Sequence, residues 1–162
     1  MKRCFRLLSL FIFSKKEAKY LWFETICCLA YARVLKNIPF SRVVCKYEMK
    51  NQESSHNQDY DYRIVRQVSQ SIHTISKYCF WETECLVKAL AAMNMLKRRK
   101  IESTLYLGTG KEMSGKLIAH AWLRSGQYYV TGIEEKENFT VVKTLSYIVD
   151  AEKSRGDHKC SI

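Results

Sequence analysis

The sequence predicts an α+β fold in which helices precede a small antiparallel sheet. Three stretches carry apolar residues at three- and four-residue spacing, the period of an α-helix: residues 16–35, 62–78 and 86–100. Short alternating or apolar stretches follow and are typical of strands: residues 105–108, 118–123, 128–133 and 141–142. A run of helices followed by a run of strands is the pattern of an α+β domain.

The composition is that of a folded protein without a metal site or a disulfide framework. Of the 162 residues, 47% are hydrophobic and 12% are aromatic, which is enough for one domain with its own core. The seven cysteines are scattered and never spaced as CxxC, so no zinc site and no disulfide framework is predicted. We therefore expect no cofactor, no metal and a reducing, cytoplasmic location.

The N-terminal residues resemble a signal peptide only superficially. The apolar stretch at residues 7–13 is too short to span a bilayer, and no small-residue cleavage site follows it. Peripheral contact with a membrane surface is compatible with such a basic start. Residues 16–35 then form a helix that Ser14 caps and Pro39 follows. Glu24 and Arg33 interrupt its apolar face, which argues against a membrane span.

A polar segment divides the chain. Residues 50–60 contain few apolar side chains, and such a composition predicts a mobile linker. The chain is thereby divided into an N-terminal helical segment at residues 1–49, the linker, and a core at residues 61–162. A connector at residues 40–49 ends the first part, and a helix at residues 62–78 begins the core.

The helix at residues 86–100 begins next to a cysteine with the features of a nucleophile. No Gly or Pro interrupts it, and the basic residues 97–100 lie where the helix macrodipole favours cations. Thr83 is the predicted N-cap, which places Cys85 in the first turn. There the partial positive charge of the helix terminus stabilises a thiolate. The alternative is that Cys85 is a small apolar core residue, as free cysteines usually are.

A histidine on a later strand supplies the base that a cysteine nucleophile needs. Residues 117–123 alternate as a strand, with His120 and Trp122 on one face. The small residues Ala119 and Ala121 leave room around the imidazole. Trp122 is the candidate substrate-binding residue. The alternative is that His120 is a core histidine whose hydrogen bonds are satisfied internally.

These motifs resemble those of a known family. The pattern Cys-Leu-x-x-Ala-Leu-Ala beginning at Cys85, the later Leu-x-x-Gly and the Ala-His-Ala-Trp around His120 are similar to the transglutaminase-like leader peptidase of lasso-peptide biosynthesis. The sequence motifs resemble those of the standalone form of that peptidase in particular, and the resemblance covers residues 80–145. It implies a transglutaminase-like or papain-like core, in which the Cys85 helix packs on a sheet that carries His120. It also implies that Cys85 is the nucleophile and His120 its general base.

The resemblance further implies a substrate and partners. The substrate would be a ribosomally made precursor peptide, cut where its leader meets its core. A standalone peptidase of this family needs a small leader-binding protein, the RiPP recognition element, to deliver the precursor. The freed amine of the core peptide would then pass to the ATP-dependent lasso cyclase.

The acidic residue that orients the histidine in this family is absent from its expected position. The resemblance aligns that position with Gly132. With a three-residue hairpin turn, His120 lies opposite Gly132, and Glu134 lies one diagonal step away on the same face. With a two-residue turn the parity changes, and Thr131 or Glu135 is the neighbour. We favour Glu134 as the orienting acid; a Cys–His dyad without an acid and a solvated acidic turn are the alternatives.

Charge and the missing acid leave other functions open. The net charge of +11 suits an acidic partner or surface, and the alternative is a solvated basic surface. No nucleic-acid-binding motif accompanies the charge, so we expect no nucleic acid. Two further functions remain as alternatives: a related thiol acyltransferase or amidase, and a catalytically degenerate peptide-binding module.

Overall fold

The computed structural model describes residues 16–47, 49–57, 60–112, 115–133 and 138–149, and within them four helices precede four strands. The helices are α1 (Lys16–Leu35), α2 (Phe40–Lys46), α3 (Tyr62–Ser76) and α4 (Cys85–Arg98). The strands are β1 (Ser103–Lys111), β2 (Leu117–Ser125), β3 (Tyr128–Thr131) and β4 (Thr140–Tyr147). The predicted α+β class is confirmed. The short helix α2 lies in the stretch that the sequence predicted to be a connector.

The strands form one antiparallel sheet in the order β3-β2-β1-β4. The β1–β2 register places Gly108 opposite His120 and Tyr106 opposite Trp122. The predicted strand at residues 141–142 is the start of the longer strand β4, which pairs with the free edge of β1. The strand that carries His120 is therefore an inner strand, held on both sides by ladder hydrogen bonds.

Helix α4 lies at the centre of the domain. It packs against α1 and α3 on one side and against the sheet on the other, where its contact with β2 is the most extensive. Eight of its 14 residues are buried: Val87, Ala89, Leu90, Ala91, Ala92, Met93, Met95 and Leu96. Removal of this apolar surface from water is the main force that holds the helix against the sheet.

Helix α1 has the bounds that the sequence predicts, and its predicted cap Ser14 lies outside the described residues. Leu29 and Ala32 on one face are fully buried, whereas Tyr20 and Phe23 on the other are 82% and 62% exposed. None of the helices in the described ranges combines the length and hydrophobicity that a membrane span requires. The N-terminal stretch for which membrane contact was considered lies outside those ranges.

Residues 50–57, the described part of the predicted linker, lie against the sheet. Ser54 is 2% exposed, and its backbone N–H donates a hydrogen bond of 2.9 Å to Oγ1 of Thr104. The guanidinium of Arg124, which is 1% exposed, donates to Oε2 of Glu53 and to the carbonyl oxygen of Ser54, both at 3.1 Å. Buried polar groups need such partners, so the segment is tied to the core. The division at residues 50–60 stays a prediction.

The cysteines are mostly unpaired in the described chain. Cys27, Cys28, Cys79 and Cys85 are free thiols. Cys45 is disulfide-bonded, which the scattered spacing did not predict. Within the described residues, no three His, Cys, Asp or Glu side chains form a cluster that could hold a metal ion.

Candidate active site

Cys85 is the first residue of helix α4. The N-cap is Glu84, in an extended conformation with φ −64° and ψ 169°, and it makes no side-chain capping hydrogen bond. The predicted cap Thr83 is wrong, because its hydroxyl instead donates to the carbonyl oxygen of Ser76 at 3.2 Å. The prediction that Cys85 lies in the first turn is correct. The backbone N–H groups of an uncapped first turn remain available to an anion.

Two acidic side chains next to Cys85 are neutralised by ion pairs with helix α1 and the residue that follows it. Glu84 pairs with Lys36, and Glu82 lies 3.7 Å from Arg33. These pairs are partly exposed and contribute little to stability. Their effect on the site is electrostatic, because they offset negative charge beside the thiol at the start of α4.

Ideal helix and strand rises place Cys85 and His120 at similar distances from the chain reversal that follows α4. Lys100 adopts φ 55°, and the N–H of Ile101 bonds to the carbonyl of Leu96 at 3.0 Å, so a Schellman-type turn reverses the chain after α4. Strand β1 therefore runs back along the helix. Cys85 lies about 20 Å from the C-terminal end of α4. The β1 residue that pairs with His120 lies about 17 Å from the start of β1.

The His120 ring is held by a hydrogen bond and by two aromatic rings. Its Nε2 atom lies 3.1 Å from the carbonyl oxygen of Gly132. The ring stacks on Phe139, with centroids 4.9 Å apart and planes at 26°, and on Trp122, at 5.9 Å and 24°. If Nε2 carries the proton and donates it to the Gly132 carbonyl, Nδ1 is the basic nitrogen of the neutral ring.

Strand alternation separates His120 from the helix-side core. Ala121 and Leu123 belong to the hydrophobic core that includes α4, whereas Trp122, although 4% exposed, does not. His120 and Trp122 therefore share the other face of β2, as the sequence predicted. Among the described residues, no hydrogen bond joins the Cys85 thiol to the His120 ring. Cys85 packs against the helix-side core, so the assignment of His120 as the base for Cys85 stays a prediction.

Gly132 is where this site departs most from the sequence prediction. The hairpin turn has two residues, since Ser125 pairs with Tyr128, so the three-residue turn was wrong. A register shift opposite Leu123 and Arg124 adds one residue to β3, as in a β-bulge. Because this extra residue offsets the shorter turn, Gly132 still lies beside His120.

Gly132 has φ +74°, a conformation that favours glycine. A Cβ atom there would lie 2.8 Å from the Ala121 carbonyl oxygen and 3.0 Å from Nε2 of His120. The backbone carbonyl of Gly132 contacts the histidine. Glu134, the predicted orienting acid, lies outside the described residues.

Sequence reasoning missed three residues around His120. Phe139, in the loop before β4, stacks on the ring. Glu53 and His56, from the predicted linker, line a cavity next to Trp122. The only sequence signal for Phe139 was its position as an aromatic residue directly before a valine-rich strand. The polar composition around Glu53 and His56 did not indicate that they would line a cavity.

The comparison with protein families agrees with the helix–sheet architecture. A family model described as transglutaminase-like superfamily matches residues 26–144. No curated protein and no solved structure shows significant similarity to the chain. The match confirms the transglutaminase-like part of the resemblance and carries no information on which peptide, if any, is cut. This chain belongs to the transglutaminase-like superfamily, whose fold serves cysteine peptidases and acyltransferases.

Proposed function

We propose that this protein is a cysteine peptidase that removes the leader from a ribosomally made lasso-peptide precursor. The observation that carries the proposal is a free thiol, Cys85, as the first residue of the central helix of a transglutaminase-like domain. Helix α4 packs against β2, the strand that carries His120. The lasso-peptide part rests on the sequence resemblance at residues 80–145.

The mechanism begins with transfer of the Cys85 proton to His120. The thiolate attacks a peptide carbonyl, and the N–H groups of the first turn of α4 stabilise the oxyanion. The imidazolium returns the proton to the leaving amine as the C–N bond breaks, which leaves a thioester on Cys85. Water, deprotonated by His120, then hydrolyses the thioester and regenerates the thiol.

The Gly132 carbonyl orients His120 in this mechanism, and Glu134, the acid that the sequence favoured, stays a second proposal that the variants below test. With Nε2–H donating to that oxygen, His120 presents Nδ1 as the base, and the flanking rings of Trp122 and Phe139 restrict its rotation. A hydrogen bond to one ring nitrogen of a histidine sets which nitrogen is basic. Proton transfer needs the thiol and the imidazole within hydrogen-bond distance, so the mechanism requires a conformation in which the His120 ring turns from the Trp122 face toward the start of α4.

The proposed partners are the precursor peptide, a small leader-binding protein and the lasso cyclase, in the cytoplasm. The basic end of α4 is a weaker candidate for partner docking than its sequence suggested. Arg98 and Arg99 pair with Glu24, at 3.4 and 2.6 Å, and Lys97 donates to the carbonyl oxygen of Tyr47 at 3.2 Å. Since these charges have partners within the chain, we expect substitutions at the basic end of α4 to change the salt dependence of the complex with a leader-binding protein only weakly.

A cleavage assay followed by mass spectrometry tests the proposal. The full chain is mixed with a candidate precursor and its leader-binding protein, and wild type is compared with Cys85→Ala, His120→Ala and Glu134→Gln. We expect cleavage to disappear in the first two variants and to persist in the third, because the Gly132 carbonyl orients His120. Loss of cleavage in Glu134→Gln would instead show that Glu134 is the orienting acid.

Thiol alkylation supplies an activity-independent check with an internal control. Burial raises the pKa of the Cys79 thiol, so its thiolate is scarce at neutral pH. We expect iodoacetamide to label Cys85 faster than Cys79, as followed by peptide mapping. Equal rates at the two cysteines would refute the assignment of Cys85 as nucleophile.

A catalytically degenerate peptide-binding module is the second candidate. Two observations favour it: Gly132 carries no carboxylate, and no thiol–imidazole hydrogen bond is present between the described side chains. Complementation in a producing cell separates the two functions. Peptide maturation supported equally by wild type and Cys85→Ala would establish the binding module and exclude the peptidase.

A further inference from the structure

We propose that the open cavity beside His120 is the subsite that receives a bulky apolar side chain, aromatic in preference, of the peptide substrate. This inference rests on the proposed peptidase function and names what its substrate must present. The cavity has a volume of about 370 Å³, which lies in the lower part of the range for ligand sites. Its lining comes from the segment at residues 50–57 and from all four strands or the loops next to them.

The position of the cavity ties it to the candidate base. Trp122 and Phe139 line the cavity, and the same two rings stack on His120. A side chain in the cavity therefore lies next to the ring that would accept the thiol proton. Because a bound peptide must reach His120 to be cut by the proposed mechanism, the cavity is inferred to be a subsite near the cut.

The walls of the cavity are mainly aromatic. Trp122 stacks on Tyr106, with centroids 5.6 Å apart and planes at 13°, and Tyr129 and Phe139 add two further rings. Val141, 46% exposed, contributes an aliphatic side chain. Rings of this kind bind another ring through offset or edge contacts, in addition to the area that they bury.

The charges at the cavity are already balanced, which argues against a cationic substrate side chain. Glu53 is the carboxylate among the described lining residues, and it accepts a hydrogen bond from Arg124 at 3.1 Å. Nε2 of His56 lies 3.8 Å from the same carboxylate. A lysine or arginine of the substrate would have to compete with Arg124 for Glu53. An apolar side chain needs no such exchange.

Binding of amino-acid amides tests the subsite without catalysis. The Cys85→Ala full chain is titrated with the N-acetyl amides of phenylalanine, alanine and lysine, and the indole N–H signals are followed by NMR. We expect the phenylalanine amide to bind about fivefold more tightly than the other two, a difference of the size that an aromatic contact provides. The affected indole signal is assigned to Trp122 by its loss in Trp122→Phe.

Two neighbouring valines of β4 provide a matched pair of variants. Val141 lines the cavity, whereas Val142 does not, although both are exposed. Val141→Trp is expected to fill the cavity and to weaken the phenylalanine amide about fivefold, the loss of one aromatic contact. Val142→Trp is expected to leave binding unchanged. Tighter binding of the lysine amide, or equal losses in the two tryptophan variants, would overturn the subsite.

Failure of the subsite and failure of the peptidase proposal give different results. If wild type cuts the precursor but shows no preference for a bulky apolar residue beside the cut, the subsite is refuted and the peptidase stands. If the amides bind as expected but wild type cuts no peptide, the cavity recognises an apolar side chain in a binding module, and the peptidase is refuted.

Discussion

Substitution of Gly132 by Asp tests how this site orients its histidine. The change introduces the acid that the resemblance to the leader-peptidase family implies at this position, so the resemblance by itself predicts equal or better activity. The structure predicts the opposite. A Cβ atom at Gly132 would lie 2.9 Å from Cβ of Trp122 and 3.0 Å from Nε2 of His120, so the backbone must move and the carbonyl must leave the ring.

The expected loss of stability has two parts that a matched variant separates. Gly132 and Gly115 have similar positive φ values, +74° and +83°, so Asp at either position carries left-handed strain of about 1–2 kcal/mol. A Cβ at Gly115 would meet no atom within 4 Å. Gly132→Asp should therefore cost about 1–3 kcal/mol more than Gly115→Asp, the usual cost of overpacking a tight site.

Urea unfolding followed by circular dichroism measures this difference. Long-range ¹H–¹⁵N spectra of His120 measure the tautomer, and we expect Nε2–H in wild type and a mixture of tautomers in Gly132→Asp. Cleavage should fall in Gly132→Asp and persist in Gly115→Asp. Equal stability of the two variants, together with wild-type or faster cleavage in Gly132→Asp, would refute the role of the Gly132 carbonyl.

The remaining predictions concern stability. Arg124→Met leaves Glu53 and two buried carbonyl oxygens without their donor, and it should lower the free energy of unfolding by about 3 kcal/mol in urea titrations. The control Arg63→Met, at an exposed ion pair, should change the free energy of unfolding by less than about 0.5 kcal/mol. Equal losses in the two variants would contradict the structural role of buried Arg124. Leu90→Ala should cost about 2–5 kcal/mol, because it opens a cavity in the fully buried centre of α4. Burial raises the pKa of the Tyr47 phenol, so the folded state holds that proton more tightly than the unfolded chain, and stability should fall as pH rises above about 10. Since its hydroxyl has no hydrogen-bond partner among the described residues, Tyr47→Phe should flatten that decline without destabilising the protein at pH 7, as thermal melts at several pH values would show.

Local sequence patterns predicted the helices and the inner strand well. The bounds of α1 and the first-turn position of Cys85 follow from helical periodicity, which depends only on neighbouring residues. The shared face of His120 and Trp122 follows from strand alternation in the same way. The N-cap was wrong because Thr83 uses its hydroxyl on the Ser76 carbonyl, a contact between two elements.

The surroundings of His120 could not be predicted from such patterns. Strand alternation placed Gly132 opposite His120 only if the hairpin had a three-residue turn. The observed turn has two residues, and a β-bulge in β3 brings Gly132 beside His120 all the same. No pattern signalled that the Gly132 carbonyl would contact the ring. Phe139 reaches His120 from a loop before another strand, which depends on how β4 pairs with β1.

The sequence by itself determined the class of the fold, the helix that presents Cys85 and the strand that carries His120. These features depend on the period of apolar residues and on the backbone conformations that neighbouring side chains favour. The tertiary structure alone decided the partner of the His120 ring, the docking of residues 50–57 and the cavity beside Trp122. Each of these depends on residues distant in the chain, such as Glu53 and Arg124, 71 positions apart. Folding brings the two together, and Arg124, which is 1% exposed, needs such partners because burial has removed its water.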